Sequence, residues 1–258
     1  MGLGQRAQRG VGDMTRDEIV RMERCHVKAW PAFETRDIQG WHWRYSGGGS
    51  QRANSVSTVD FNGAEPEQAI AGVEAAYREK ATAARFQTFD LTQPLGLEAL
   101  LIARGYKESE STITMFKRIE FRSAPADTAR CESAEPDWRE VYLGAITENR
   151  RAVNTQIVES IPGPHQFFTC RRDDRVISTA LSVIGYRCAV VECVATRDDA
   201  RRQGGADAVL RALESWAGAQ DADLLGLQVV ATNAPAVALY ERLGFVAGAR
   251  NRFWVEPV

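Results

Sequence analysis

Between residues 189 and 217 an apolar, strand-like stretch, Ala189–Thr196, leads through Arg201-Arg202-Gln203-Gly204-Gly205-Ala206 into an amphipathic segment beginning near Ala206. Two glycines at a strand-to-helix junction remove side chains that would hold a ligand away from the main chain. The first turn of the following helix presents unpaired amides and the positive end of its dipole. This layout suits a phosphate or pyrophosphate held by backbone donors. Other chemistries lack their residues. The three histidines, His26, His42 and His165, show neither the clustering nor the spacing of a metal site. The five cysteines are odd in number and without close pairing, which reads as reduced thiols in a cytoplasmic protein.

The loop resembles the acetyl-CoA loop of the GCN5-related N-acetyltransferase (GNAT) family, Q/R-x-x-G-x-G/A, with Arg201 in the first place, Gly204 in the fourth and Ala206 in the sixth. Downstream, Asn233 to Phe245 is similar to that family's N-x-x-A-x-x-L-Y-E-x-L-G-F segment, at the separation expected for one intervening helix and strand. The resemblance covers roughly Cys131 to Val258. It implies an α/β fold with a mixed sheet, acetyl-CoA as cofactor, and transfer of an acetyl group to a primary amine by direct attack in a ternary complex. Strand 189–196 is then expected to splay from its neighbour near Leu227–Val230, so that the main chain of Val194, Ala195 and Thr196 pairs with the pantetheine arm as an added strand does. Amides of Arg202, Gln203, Gly204, Gly205, Ala206 and Asp207 would hold the pyrophosphate. Side chains of Arg201 and Arg202 either add charge there or lie in a solvated basic loop, and Asn233 matches the position whose amide side chain meets the cofactor.

Acetyl transfer needs a deprotonated amine, a donor for the carbonyl oxygen and an acid for the leaving thiolate. Tyr240 stands in the family's usual place seven residues after Asn233 and is the expected acid. A backbone N–H near Val194 or Ala195 is the expected oxygen donor. Some relatives carry Glu where this chain has Gln228, and an amide takes no proton at neutral pH. Glu192 is the substitute base, expected on the same face of its strand as Val194 and among valines, with ordered water as the alternative. Cys193 is expected to point to the opposite face, into the core, which argues against an acetyl-cysteine route.

A length of 258 residues and 44% hydrophobic content suit one large or two small soluble domains, and a net charge of −2 argues against nucleic acid as partner. No apolar run approaches a membrane span, and the Gly/Arg-rich start lacks a signal-peptide core. Residues 1–13 read as a tail, because Thr15 and Glu18 form a capping box. Residues 14–121 read as a degenerate N-terminal copy of the same fold, 122–130 as a linker and 131–258 as the catalytic domain. Leu97–Phe116 aligns without gaps on Ala236–Val255, so an internal duplication is the economical reading. In that first copy Leu101 replaces Tyr240, Pro94 replaces Asn233, and Asn62–Glu67 offers no glycine loop, so it should not bind acetyl-CoA.

The first half offers a helix over 16–29, strands over 40–46 and 52–59, a helix over 65–83, a strand over 85–91, a short helix to 104 and a strand over 111–117. The second offers helices over 136–150 and 154–161, a three-strand meander over 165–196, and the elements above. Trp41, Trp43 and Tyr45 read as core of a strand pair whose hairpin is made by Gly47–Gly49; the alternative is a recognition surface with Arg44 and Arg52. Substrate choice should lie in Glu148–Pro164. The acceptor, a small amine or a peptide amine, is open, as is oligomeric state, a homodimer included. A non-catalytic acyl-CoA sensor and a protein N-terminal or lysine acetyltransferase are the rival readings.

Overall fold

The computed structural model describes residues 14–120 and 123–257; the expected tail over 1–13 lies outside them. Helix α1 (Arg16–Ala29) starts at Thr15, whose hydroxyl accepts from the Glu18 N–H at 3.2 Å while the Glu18 carboxylate accepts the Thr15 N–H at 2.8 Å. That reciprocal cap satisfies amides the first turn leaves free. The first half continues with β1 (Glu34–Ile38), β2 (Trp41–Tyr45), a 3₁₀ turn over Arg52–Asn54, β3 (Val56–Ser57), α2 (Pro66–Arg78), β4 (Arg85–Phe89), α3 (Leu97–Ala103) and β5 (Lys107–Arg118). The second half holds β6 (Thr128–Cys131), α4 (Pro136–Gly144), α5 (Glu148–Glu159), β7 (His165–Arg172), β8 (Arg175–Gly185), β9 (Cys188–Thr196), α6 (Gly205–Gly218), β10 (Leu224–Val230), α7 (Ala234–Arg242) and β11 (Val246–Val255).

Four expectations are corrected here. Trp41 and Trp43 are buried core as expected, but the hairpin turn sits at Gln39–Gly40, between β2 and the charged edge strand β1. Gly47–Gly49 instead lead into the 3₁₀ turn, which with β3 replaces the strand expected over 52–59. The helix expected over 136–150 is two helices, because Gly144 ends α4 and the chain re-enters helix after Thr147. Of the segment expected as a linker, 122–130, the described residues 123–130 run into β6, which pairs with β7 through Thr128↔Cys170.

All eleven strands form one mixed sheet in the order β1-β2-β3-β4-β11-β5-β10-β9-β8-β7-β6. The order contains an exchange: β5, from the first half, lies between β10 and β11, and β11, from the second, lies between β5 and β4. Each half therefore completes its sheet with the other's last strand. The two exchanged units are built alike. Each is a helix closed by a left-handed glycine, Gly105 at φ 85° and Gly244 at φ 86°, followed by a bond five residues back, Tyr106 N–H to Leu101 C=O and Phe245 N–H to Tyr240 C=O, both 3.0 Å. This is the structural form of the internal alignment. Helix α1 also crosses over: it packs on the second half's strands, where Met22 lies so close to Gly226 that a Cβ there would come within 2.3 Å of its sulfur.

Apolar clusters fill both faces of the second half, one under α1, α4 and α5 around Trp138 and one under α6 and α7 around Leu213. A third packs α2 and α3 on Trp41 and Phe86. Among the described residues no helix is long and apolar enough to cross a membrane.

Candidate active site

β9 and β10 run parallel only over Leu224↔Cys188, Leu225↔Ala189 and Gly226↔Val190. Beyond Val190 they part, while β10 stays paired to β5 as far as Val230↔Thr112. The expected splay is present. β9 also carries a bulge: it pairs with β8 at Leu181↔Glu192 and again at Thr179↔Ala195, so Cys193 and Val194 together face one residue, and Cys193 adopts φ 55°. Neither has a register partner on the two neighbouring strands, which leaves this edge of β9 to a ligand.

The bulge shifts the side-chain alternation by one and corrects two expectations. Glu192 stands opposite Leu181 on the α1/α4/α5 face, whereas Val194 packs in the α6/α7 cluster, so the two do not share a face. Cys193 packs on the same side as Glu192 and lines the cleft, where burial pushes its thiol up. Nor does Glu192 sit free among valines. Its two carboxylate oxygens accept from Arg52 Nη1 and Nη2 at 2.7 and 2.6 Å, and the side chains are 8% and 21% exposed. The Arg52 guanidinium in turn lies 5.1 Å from the Trp30 ring centroid. The guanidinium fork thus occupies both carboxylate oxygens.

The parted strands form one wall of a cleft of about 540 Å³. Tyr240, in the last turn of α7, projects into it with its ring edge-to-face on Phe245 at 5.8 Å. Burial, and secondarily the charge of Glu192, push its phenol up to about 12. Its hydroxyl has no hydrogen-bond partner among the described residues. Gln228 also lines the cleft, and its Nε2 donates at 3.0 Å to Glu23, a fully buried carboxylate that burial raises above its usual range. Thr114 and Asn251 complete that network at 2.6 and 3.2 Å. Among the described residues no cluster of three acidic, His or Cys side chains could hold a metal, and all five cysteines are free thiols.

Beyond the end of β9, α6 begins on Gly204 at φ 80° with no side-chain cap, and its intrahelical bonds start with Ala208 N–H to Gly204 C=O at 2.9 Å. The amides of Gly205, Ala206 and Asp207 lie ahead of that bond and point out of the helix. The two glycines do different work, which corrects the expectation that both open the loop to phosphate. A Cβ on Gly204 would meet nothing within 4 Å, whereas one on Gly205 would come 2.8 Å from Ser178 Oγ and 3.1 Å from Ile177 Cδ1. Gly205 lets α6 seat on β8. Gly205→Ala is therefore expected to lower stability by about 1–3 kcal/mol through overpacking, and Gly204→Ala by about 1 kcal/mol through its backbone alone; chemical denaturation of both variants checks the order.

Arg201 is exposed and tied to Asp198 at 2.6 Å, Asp207 is tied to Arg211 at 2.6 Å, and Gln203 donates to Asp199 C=O at 3.3 Å. Arg202, at φ 62°, is the loop cation without a side-chain partner among the described residues. Asn233 caps α7, its Oδ1 accepting from Ala236 N–H at 3.3 Å, which leaves its amide nitrogen outward. Thr196 is bonded to Ser178 through their hydroxyls, and Ala195 packs in the core, so both offer only main chain outward.

The corresponding place in the first half is filled. β3 and β4 are parallel like β9 and β10, but past Ser57↔Gln87 the gap is bridged by Gln93 N–H to Thr58 C=O at 2.9 Å, and Trp41 Nε1 donates to Gln93 C=O at 2.7 Å. Helix α2 opens on Glu65 and Pro66, an acid and a residue without an N–H, where α6 has free amides.

The sequence matches the family described as "Probable histone acetyltransferase Rv0428c C-terminal" over residues 16–254. The chain belongs to this family and is a GCN5-related N-acetyltransferase. The acetyltransferase is 27% identical over 243 residues to the uncharacterized N-acetyltransferase YobR of Bacillus subtilis (strain 168), covering 89% of this chain and 95% of the relative. Its fold is similar to a GCN5-related N-acetyltransferase from Kribbella flavida, with TM-score 0.67 at 15% identity, covering 94% of this chain and 95% of that one. It is also similar to a tandem GNAT protein from the clavulanic acid biosynthesis pathway, with TM-score 0.59 at 16% identity over 83% of this chain and 77% of that one.

Several cleft residues escape sequence reasoning or divide its expectations. Of the pair proposed as a recognition surface, Arg52 reaches the cleft while Arg44 is buried, donating to Ser55 C=O and Gln87, both at 2.9 Å. Asn149 and Arg150 line the cleft from α5, inside the stretch expected to choose substrate. Glu110 gives no signal in sequence; it arrives only because β5 is exchanged.

Proposed function

We propose that the acetyltransferase binds acetyl-CoA in the β9/β10 splay and transfers the acetyl group to a primary amine by direct attack in a ternary complex. The observation that carries this reading is the parted, bulged edge of β9 and Tyr240 on one cleft, with the uncapped N-terminus of α6 following β9 and seated on β8. These residues fit the group. The amides of Gly205, Ala206 and Asp207, with the Arg202 side chain, meet a pyrophosphate's charge, and the unpaired edge of Cys193–Thr196 meets the amides of a pantetheine arm. Asn233 supplies an outward amide nitrogen beside them. When bound, acetyl-CoA supplies a thioester carbonyl for the amine to attack and a thiol to release.

The chain's own residues divide the remaining work. Tyr240 gives its proton to the departing sulfur. A phenol at about 12 is a weaker acid than an ordinary thiol near ~8.5, but the neighbouring Cys193 shows that burial in this cleft raises thiols too, which narrows the gap. Water takes the proton from the attacking nitrogen, because Glu192 is bound to Arg52 at both oxygens. Gln228 and the backbone near Val194 orient the amine and the carbonyl. The first half covers the acceptor side of the cleft and binds no cofactor of its own.

The pH profile follows. A group serving as acid works below its pKa and fails above it, so a phenol raised to about 12 costs no activity across the ordinary range. With the acceptor amine supplying the ascending limb, kcat/KM is expected to rise with pH and show no descending limb below about pH 10. A fall centred near neutral pH would contradict the assignment. Thiol release from acetyl-CoA against a pooled amine library tests the reading as a whole, with the sensor alternative predicting binding and no release.

A further inference from the structure

The acceptor's chemical class can be read from the charges that line the cleft, on the premise that the acetyltransferase reading above holds. Four formal charges face the cleft: Arg52, Glu192, Arg150 and Glu110. The first two neutralise each other at 2.6 Å. Arg150 and Glu110 have no ion-pair partner among the described residues, and they come from different elements, one from α5 and the other from the exchanged strand β5.

Arg150 is held ready. Its Nε donates to Gly49 C=O at 3.3 Å, and its two terminal nitrogens have no partner among the described residues. A guanidinium fixed through Nε presents those two nitrogens as a planar fork, the shape that takes a carboxylate through two parallel bonds. The support for Arg150 is itself rigid: a Cβ on Gly49 would come 2.6 Å from Val153 Cβ, so the first half's glycine loop rests directly on α5. Arg150 also lies in the first turn of a 12-residue helix whose Thr147 makes no side-chain cap, an end that favours negative charge. It reaches the reaction centre as well, because its charge acts on the Cys193 thiol at the bulge. Glu110, which also lines the cleft, is exposed on β5, in register with Phe253 of β11.

We propose that the acceptor is a small zwitterionic amine, an amino acid or a short peptide with a free C-terminal carboxylate, whose carboxylate is bound by Arg150 and whose cationic end is drawn in by Glu110. A polyamine fits this cleft poorly. It would meet one uncompensated acid and one uncompensated cation, and the cation lies beside the bulge where the reacting nitrogen must arrive. A lysine inside a protein chain offers no carboxylate to the Arg150 fork.

Matched acceptors test this on the full-length protein. Thiol release at saturating acetyl-CoA is measured for pooled amino acids and for the pool of amines left by their decarboxylation, such as lysine against cadaverine. Binding of each pool to the CoA-saturated protein is followed by calorimetry. The expected result is a preference for the carboxylated pool of about tenfold or more in kcat/KM, lost in R150Q through KM with little change in kcat, and partly kept in R150K, a point charge without the fork. E110Q is expected to raise KM for both pools. Thermal melts confirm that the variants fold. Equal or better use of the decarboxylated amines, a preference for lysine-containing peptides amidated at the C-terminus, failure of carboxylated amines to bind, or a preference that survives R150Q would each overturn the inference. Those results leave the acetyltransferase reading standing if thiol is released from any amine; absence of acetyl-CoA binding would remove both.

Discussion

Tyr240→Phe is expected to lower kcat by about 10²-fold or more, some 2.7 kcal/mol of transition-state stabilisation, while the dissociation constant for acetyl-CoA stays within about threefold of wild type. The substitution keeps the ring and its 5.8 Å edge-to-face contact with Phe245 and removes only the hydroxyl. Structure and stability should change little, because that hydroxyl has no hydrogen-bond partner among the described residues to lose. The measurement is steady-state thiol release beside calorimetric binding. A loss confined to kcat supports proton donation by Tyr240. An unchanged rate would mean that the thiolate leaves without help, and a parallel loss of cofactor affinity would make Tyr240 a binding residue. The same experiment separates an enzyme from a sensor, since binding alone needs no acid.

Arg52→Met is expected to cost about 3–5 kcal/mol, because it leaves the Glu192 carboxylate, 8% exposed, buried without its partner. For a chain of this size that is a fall in melting temperature on the order of 10 °C. Removing both charges should behave differently. In R52M/E192L no charge is stranded, and most of the loss should return, as replacement of a buried ion pair by packed apolar groups is often neutral or better. A single variant within about 1 kcal/mol of wild type would show that water reaches Glu192 freely, and the case against Glu192 as base would fall with it. The pair joins residues 140 positions apart in sequence and ties the 3₁₀ turn of the first half to β9, so its loss should also loosen the cleft.

What was legible in the sequence was local. The loop Arg201–Ala206 and the segment Asn233–Phe245 each lie on one strand-to-helix or turn-to-helix unit, where residue type and spacing fix the backbone; Tyr240 of the second lines the cleft, and the first follows β9, whose bulge lines it. The capping box at Thr15 and the meander were legible for the same reason. The bulge was not, because it depends on how β9 registers against β8, and one extra residue there moved Cys193 and Val194 off the faces that simple alternation assigns. The Glu192 environment was not legible either, since its partner comes from the other half. β1 escaped notice because an edge strand of mostly exposed, charged residues carries no apolar alternation. The internal alignment of Leu97–Phe116 with Ala236–Val255 showed that the unit is repeated but not that the strands are exchanged, because pairing partners leave no mark on the strand itself.

The most direct test of the account is a calorimetric titration of the full-length protein with acetyl-CoA, run beside a variant carrying Gly204→Val and Ala206→Asp, which crowds and charges the amides at the start of α6. The account predicts micromolar binding to the wild type, loss of that binding in a variant that stays folded by thermal melt while losing about 1–3 kcal/mol to the left-handed backbone at position 204, and thiol release once an amine is added. Binding that survives intact in the variant would place the pyrophosphate elsewhere and contradict the account at its centre.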